Sequence, residues 1–393
     1  MGCLPAGETR QPPAWVTIGS VKTLNAAIIG YGFMGRAHSN AYAQVGRFFS
    51  PPYQVRRKVV CGRKRAGAEE LARVWGWDEV AQDWQEVVAR PDIDLVDICT
   101  PNALHAPIAL AAAAAGKMVL CEKPLATSLA EARAMAEAVA RAGVPTMVWF
   151  NYQRVPAIAF ARELIERGTL GRLFHYRATY LQEWGTDPTR PPGWKLSRAQ
   201  AGSGANGDLN SHLIDTALLL AGPITEVSAM MSTFVPERVS PDGAVHVDVD
   251  DATLALARFA SGALGSFEAT RFAVGSKNRN GFEVHGEKGM LRFNLEDFNH
   301  LEYADATGDP ALRGPRSILV TGPGHPYVGH YWKPGHVIGY EHTFISALAD
   351  FLQSLEKPEP FHPNFEDALR VQQVLEAIET SARTRQWVKV EEI

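Results

Sequence analysis

The stretch LNAAIIGYGFMG, Leu24 to Gly35, decides the fold. Its apolar run has no helical spacing and breaks at three glycines, Gly30, Gly32 and Gly35, set G-x-G-x-x-G. That pattern carries weight where a buried strand turns directly into a helix. Gly30 permits the tight turn, Gly32 lets the backbone approach a diphosphate, and Gly35 lets helix and strand pack closely. Phe33 and Met34 then stand at the helix N-terminus, where free N–H groups and the helix dipole favour an anion. The spacing predicts a dinucleotide on a Rossmann domain.

Outward from this turn, short apolar runs alternate with helical segments. RKVVCG is a strand followed by the helix AGAEELARVWG, DLVDICTP stops at Pro101, and Ala103 to Gly116 is a helix. KMVLCEKP stops at Pro124, a helix runs from Ser128 to Ala142, and VPTMVWF closes the series. Such alternation implies a parallel, doubly wound sheet. After Asn151 the pattern changes. A helix and the strand LFHYRATYLQEW lead to a Gly-rich loop and a helix from about Asp208 to Leu220. EVSAMMSTFV, DATLALARFA, ALGSFEATRF and GFEVHGEKGMLRF then read as consecutive strands, before two late helices. The expectation is α/β: a flexible tail over 1–22, an NAD(P)-binding Rossmann domain over 23–150, and over 151–393 an α+β domain. This last part carries substrate-binding and oligomerisation roles on a large open, mostly antiparallel sheet.

Composition narrows the function. A chain of 393 residues is long for one core, which agrees with two domains. A net charge of −4 without a basic stripe argues against nucleic acid. No apolar run of about 18 residues suggests a membrane helix, and the first residues lack a signal-peptide core. The four cysteines have no metal or redox spacing, so a reducing cytoplasm is expected. No metal is expected either, because the histidines near the C-terminus have no carboxylate or thiol at ligand spacing.

At the end of the second strand, where an acid normally holds the adenosine ribose, stand Gly62, Arg63 and Lys64. On charge alone this favours a 2′-phosphate and NADP. Alternatively Arg63 covers the ribose or adenine and NAD remains usable. Glu122 and Lys123 lie at a strand's carboxyl end, where open α/β sheets bind ligands, and Lys123 can favour a developing alkoxide there. Asp208 and His212 are four apart, which on a helix puts them on one face and makes His212 a candidate base oriented by Asp208. The alternative is a helix cap beside a surface histidine.

Together GYGFMG, CEKP, NYQRVP and GDLNSHLID, in this order, resemble the glucose–fructose oxidoreductase, inositol dehydrogenase and rhizopine catabolism (Gfo/Idh/MocA) family. The resemblance implies a catalytic set of Lys123, Asp208 and His212. His212 would take the hydroxyl proton, Lys123 would orient the carbinol oxygen, and hydride would pass to nicotinamide carbon 4. It implies that Thr100, Pro101, Asn102, His105 and Glu122 line the cofactor, and that Lys123–Pro124 is cis. Gln153 and Arg154 replace a pair of arginines, and Asn210 replaces a glycine. With Asn151 they are candidate substrate contacts. The segment YLQEWGTDPTRPPGWKLSRAQAGSG resembles a levoglucosan dehydrogenase-like subgroup. That resemblance implies NAD rather than NADP, oxidation at carbon 3 of a pyranose, and substrate contacts from Gln182, Trp184, Trp194 and Lys195. Trp332 and His336 in the C-terminal loop are candidates to close the site.

The resulting expectation is an NAD(P)-dependent dehydrogenase of a sugar, anhydrosugar or glycoside, assembled as a homodimer or homotetramer. A redox-neutral glycosidase acting through transient oxidation, and a non-catalytic cofactor-binding regulator, are the alternatives.

Overall fold

The computed structural model describes residues 22–240 and 243–393, so the expected tail, except its last residue, and Cys3 lie outside the described residues. The first unit runs β1 (Lys22–Ile29), α1 (Phe33–Phe48), β2 (Tyr53–Cys61), α2 (Arg65–Trp75), β3 (Glu79–Ala81), α3 (Trp84–Ala89) and β4 (Leu95–Ile98). It continues through α4 (His105–Ala114), β5 (Met118–Cys121), α5 (Leu129–Ala142) and β6 (Thr146–Val148). The six strands are ordered β3-β2-β1-β4-β5-β6 and every pair is parallel. β4 is buried along its whole length because helices cover both faces, which is why its sequence lacks alternation. Strand order reverses between β1 and β4, and the crevice outside their carboxyl ends is where such sheets take ligands. Local signals set the helix ends. Ser128 accepts from the Glu131 amide at the start of α5, and Gly143 ends it at φ +64°, a conformation a side chain disfavours.

The second unit begins with α6 (Pro156–Glu166), β7 (Leu173–Leu181), α7 (Arg198–Ala201), α8 (Ser211–Ala221) and β8 (Ile224–Ser232). A small hairpin, β9 (Glu237–Ser240) and β10 (Gly243–His246), precedes β11 (Ala252–Phe259), β12 (Leu264–Thr270), β13 (Arg279–Gly286) and β14 (Gly289–Asn294). Then come β15 (His300–Asp305), β16 (Arg316–Leu319), α9 (Tyr340–Ser354), α10 (Phe365–Thr384) and β17 (Val388–Lys389). Nine strands form one sheet, β16-β15-β14-β13-β7-β12-β11-β8-β17. β7 and β12 pair in parallel, and the other neighbours are antiparallel. β11 shows why the sheet has one covered face. Ala255, Ala257 and Phe259 point inward to a core that also holds Leu213 and Ile378, while Leu254 and Leu256 point out.

Two features depart from simple expectation. The helix carrying Asp208 opens with a π turn, Asn206–Asn210, before α8 begins. Its i→i+5 bonding widens the turn, so a spacing of four no longer guarantees a shared face. The C-terminal segment also returns to the first unit. Phe344, Leu348, Phe351 and Leu352 of α9 share a core with Ile28, Tyr42 and Trp149.

Candidate active site

The glycine turn is built as its sequence demands. Gly30 has φ +115°, and a Cβ there would lie 2.4 Å from the Cys99 carbonyl oxygen. A Cβ on Gly35 would lie 2.5 Å from the Gly30 oxygen, so α1 could not approach the strand. A Cβ on Gly32 meets nothing within 4 Å, leaving its side open. α1 starts without a side-chain cap or an acid in its first turn, and the Thr100 hydroxyl is buried without a partner. These features fit a dinucleotide diphosphate at the helix N-terminus. Phe33 is exposed and stacks with Tyr340 at 6.2 Å, while Met34 is half-buried beside it.

At the ribose end Arg63 is exposed, and its carbonyl accepts from the Gln82 amide. The Tyr31 ring lies on Gly62 and Gly67, where added Cβ atoms would come within 2.2 and 2.5 Å of it. With the ring in this place, position 62 has no room for the usual acid.

Several residues expected to line the cofactor make hydrogen bonds that fix the loops at this end of the sheet. Asn102 donates to the Ala201 carbonyl at 2.9 Å, tying the loop after β4, which also carries Pro101, to the second unit. His105 is buried between the Pro124 and Thr100 carbonyls, each 3.1 Å away. Glu122 is buried, with one oxygen 3.0 Å from His38 Nε2 and the other accepting from the Lys123 amide. Lys123–Pro124 is cis.

The chemistry-bearing groups converge beyond β5. Lys123 Nζ donates to the Asp208 carbonyl at 2.8 Å and to its carboxylate at 3.3 Å. Lys195 Nζ reaches both Asp208 oxygens, at 2.9 and 3.0 Å, and the fully buried Arg271 reaches one at 3.2 Å. In place of the expected Asp208–His212 pairing, the carboxylate is bound by three cations, and it lies in the π turn that opens the helix. Burial opposes ionisation of Asp208, but Lys195, Lys123 and Arg271 outweigh it and hold the carboxyl well below its ordinary value. Burial lowers the Lys123 ammonium, with Asp208 opposing and Lys195 adding to the fall.

His212 sits in an aromatic box of Tyr152, Tyr180 and Phe150, at ring distances of 4.5, 5.9 and 6.1 Å, and its Nδ1 is buried without a partner. Burial and then the Lys123 charge push its pKa well below the ordinary histidine value. That lowering favours the neutral imidazole, the form able to accept a proton.

On the substrate side, Gln182 donates to Asn278 and accepts from the Trp184 indole, while Tyr180 donates to the same Asn278 oxygen and meets Tyr152 at 3.1 Å. Trp184 carries the guanidinium groups of Arg190 and Arg271 at 4.7 and 4.9 Å, so its ring is committed to packing. Trp194 is partly exposed beside Lys195.

The other candidates point elsewhere. Gln153 donates to Asp215, and Arg154 engages Asp350, the His362 carbonyl and the Phe361 ring. Asn151 donates to Thr343, and the fully buried Asn210 donates to Asn206. Asn151, Gln153 and Arg154 thus tie separate elements together, whereas the Asn210–Asn206 bond lies within the π turn and leaves Asn210 Oδ1 buried without a partner. Trp332 packs on Phe48, the last residue of α1, about 22 Å along that helix from the glycine turn. His336 is exposed and contacts the Lys333 carbonyl. Tyr340, from the same segment, takes the place expected of them, lying 6.3 Å from Tyr152 and against Phe33.

Sequence reasoning missed Tyr31, His38, Tyr152, Tyr180, Arg271, Asn278 and Tyr340. Tyr152 stands inside NYQRVP and Tyr31 inside the glycine turn, so both carried a positional signal. Arg271 carried none, since it depends on β7 and β12 ending side by side, Leu181 opposite Thr270.

Residues 24–150 match an oxidoreductase family described as an NAD-binding Rossmann fold, and residues 158–292 match the GFO/IDH/MocA C-terminal domain. Levoglucosan dehydrogenase of Pseudarthrobacter phenanthrenivorans is 42% identical over 95% of this chain and 100% of its own. A solved structure of levoglucosan dehydrogenase in complex with NADH and levoglucosan has a TM-score of 0.92 at 44% identity, covering 95% of this chain and 100% of that one. An oxidoreductase domain protein from Kribbella flavida is 48% identical, with a TM-score of 0.91 over 94% of this chain and 99% of its own. With both of its domains matched in order on an NAD-type nucleotide fold, the chain belongs to the Gfo/Idh/MocA family of NAD-binding oxidoreductases.

Proposed function

We propose that the protein oxidises a secondary hydroxyl, at carbon 3, of a pyranose, anhydrosugar or glycoside, passing hydride to NAD. The observation that carries this reading is the convergence, beyond the carboxyl end of β5, of Lys123 with Asp208 and Lys195, beside a neutral, buried His212. NAD supplies the hydride acceptor when bound. His212 accepts the hydroxyl proton. The Lys123 ammonium donates to the same oxygen and strengthens its bond as negative charge develops, which is selective stabilisation of the transition state. Asp208 holds Lys123 and Lys195 in place, and Trp194, Lys195 and Gln182 offer contacts for sugar hydroxyls and C–H faces. The likeness to levoglucosan dehydrogenase supports a cyclic sugar.

The outer face of the nine-stranded sheet supports assembly as a homodimer or homotetramer. Leu254 and Leu256 are exposed there, with Met230 opposite Leu254 on β8 and Leu264 on the neighbouring β12. Cys61, Cys99 and Cys121 are free thiols, which supports a reducing, cytoplasmic setting. Among the described residues no helix is long and apolar enough to cross a membrane.

The test is absorbance of reduced nicotinamide over a panel of levoglucosan, free pyranoses and glycosides, with NAD and NADP in parallel. Accumulation of NADH with a keto-sugar is the expected result. Glycoside cleavage without net NADH would overturn it in favour of redox-neutral elimination.

A further inference from the structure

Beneath the site lies a buried charged cluster that the reaction does not use directly. Asp97 on β4 is fully buried and Glu122 at the end of β5 nearly so. Between them sits His38 of α1, also fully buried, with Nδ1 3.1 Å from Asp97 Oδ2 and Nε2 3.0 Å from Glu122 Oε1. Asp97 further accepts from the Trp149 indole at 3.0 Å and the Tyr42 hydroxyl at 3.1 Å. Cys99 Sγ lies 3.0 Å from His38 Nδ1. Among the described residues no lysine or arginine forms a salt bridge with either carboxylate.

A neutral imidazole has one N–H and would face one of these carboxylates with a lone pair. Only the imidazolium donates from both nitrogens. Two buried carboxylates also need a positive charge in contact, because an unpaired buried charge is strongly destabilising. The ring's orientation is fixed independently by stacking on Trp149 at 4.0 Å and by Phe344 of α9 at 5.5 Å.

We propose that His38 is a positioning residue: as an imidazolium it ties Glu122 to Asp97 and so fixes the strand end from which Lys123 reaches Asp208. Glu122 passes the constraint on, since its second oxygen accepts the Lys123 amide N–H at 3.2 Å. Asp97, His38, Glu122, Lys123 and Asp208 thereby form one run of polar contacts from the nucleotide-domain core to the substrate unit. The groups facing the ring are Asp97 and Cys99 from β4 and the loop after it, Glu122 just after β5, Trp149 after β6 and Phe344 from α9. Tyr42 of its own helix reaches Asp97. Burial opposes the charge, and Asp97 and Glu122 outweigh it, raising the pKa to about 9.

This role rests on the proposed function only in taking Lys123 as the group that meets the substrate oxygen. The first measurement needs no substrate. In NAD-free protein labelled with ¹⁵N-histidine, the resonances that His38→Gln removes should show two protonated ring nitrogens at pH about 8. A neutral tautomer there overturns the proposal, whatever the enzyme oxidises. In the second measurement His38→Gln, which keeps one donor without the charge, should lower kcat about tenfold or more while the NADH dissociation constant stays within about threefold. Adding Asp97→Asn, which removes the uncompensated carboxylate, should recover part of that kcat. Parental kcat in His38→Gln, or no recovery in the double variant, overturns the positioning role.

Discussion

Replacing Asp208 by Asn tests whether this carboxylate serves the lysines or the histidine. The change keeps the side-chain shape and removes the charge that faces Lys123, Lys195 and Arg271. At the 3.3 Å separation from Lys123 Nζ, and an effective dielectric constant of about 20, the lost attraction is about 5 kcal/mol. That figure is a ceiling on the effect. The sign follows from the groups involved. Burial already lowers Lys123 and Asp208 opposes that fall, so its loss moves Lys123 further down. The basic limb of kcat/KM should therefore shift to lower pH in Asp208→Asn, because neutral Lys123 no longer donates as an ammonium to the carbinol oxygen. The acid limb belongs to His212 and should also fall, but less, because the Asp208 charge raises His212 only through space and no hydrogen bond joins them. Stability should also fall by about 3–5 kcal/mol in urea unfolding, since the fully buried Arg271 loses its charged partner. A stationary basic limb with a shifted acid limb would refute this reasoning and return Asp208 to His212.

Three further outcomes follow from single features. Gly35→Ala should abolish measurable NADH binding by fluorescence, because its Cβ would lie 2.5 Å from the Gly30 carbonyl oxygen and force α1 off the strand. The His38 cluster should make stability pH-dependent. A pKa raised from 6.5 to about 9 contributes about 3 kcal/mol, fully present below pH 6.5 and lost as pH rises through about 9. The stability difference between the parent and His38→Gln in urea should therefore shrink from pH about 6 to about 10, and a constant difference would count against it. Leu256→Glu, on the outer sheet face, should shift sedimentation toward monomer with NADH affinity unchanged, and an unaltered species distribution would remove that face from the interface.

The parts of the account legible in the sequence are those fixed by local chemistry. Gly30, Gly32 and Gly35 announced a strand-turn-helix because each glycine answers a backbone need within that turn. The placement of Lys123 at a strand end followed from Pro124 stopping β5. Alternation along Ala252–Phe259 revealed a one-sided strand. What failed depended on distant partners. Asn151, Gln153 and Arg154 looked available for ligand, but Thr343, Asp215 and Asp350 claim them, and those pairings exist only in the fold. The Asp208–His212 spacing misled because an α-helical period was applied to a π turn. Trp332 and His336 lay near Tyr340 in sequence, yet only Tyr340 starts the helix that packs back along α1.

The most direct test of the central claim follows the hydride itself. Levoglucosan carrying deuterium at carbon 3 would be mixed with the enzyme and NAD, and the reduced cofactor analysed by mass spectrometry. NADH should carry the deuterium, transferred as deuteride, at nicotinamide carbon 4, in the parent and, at a rate lower by about 10²–10⁴-fold, in His212→Ala. NADH formed without deuterium, or formed by His212→Ala at the parental rate, would contradict it.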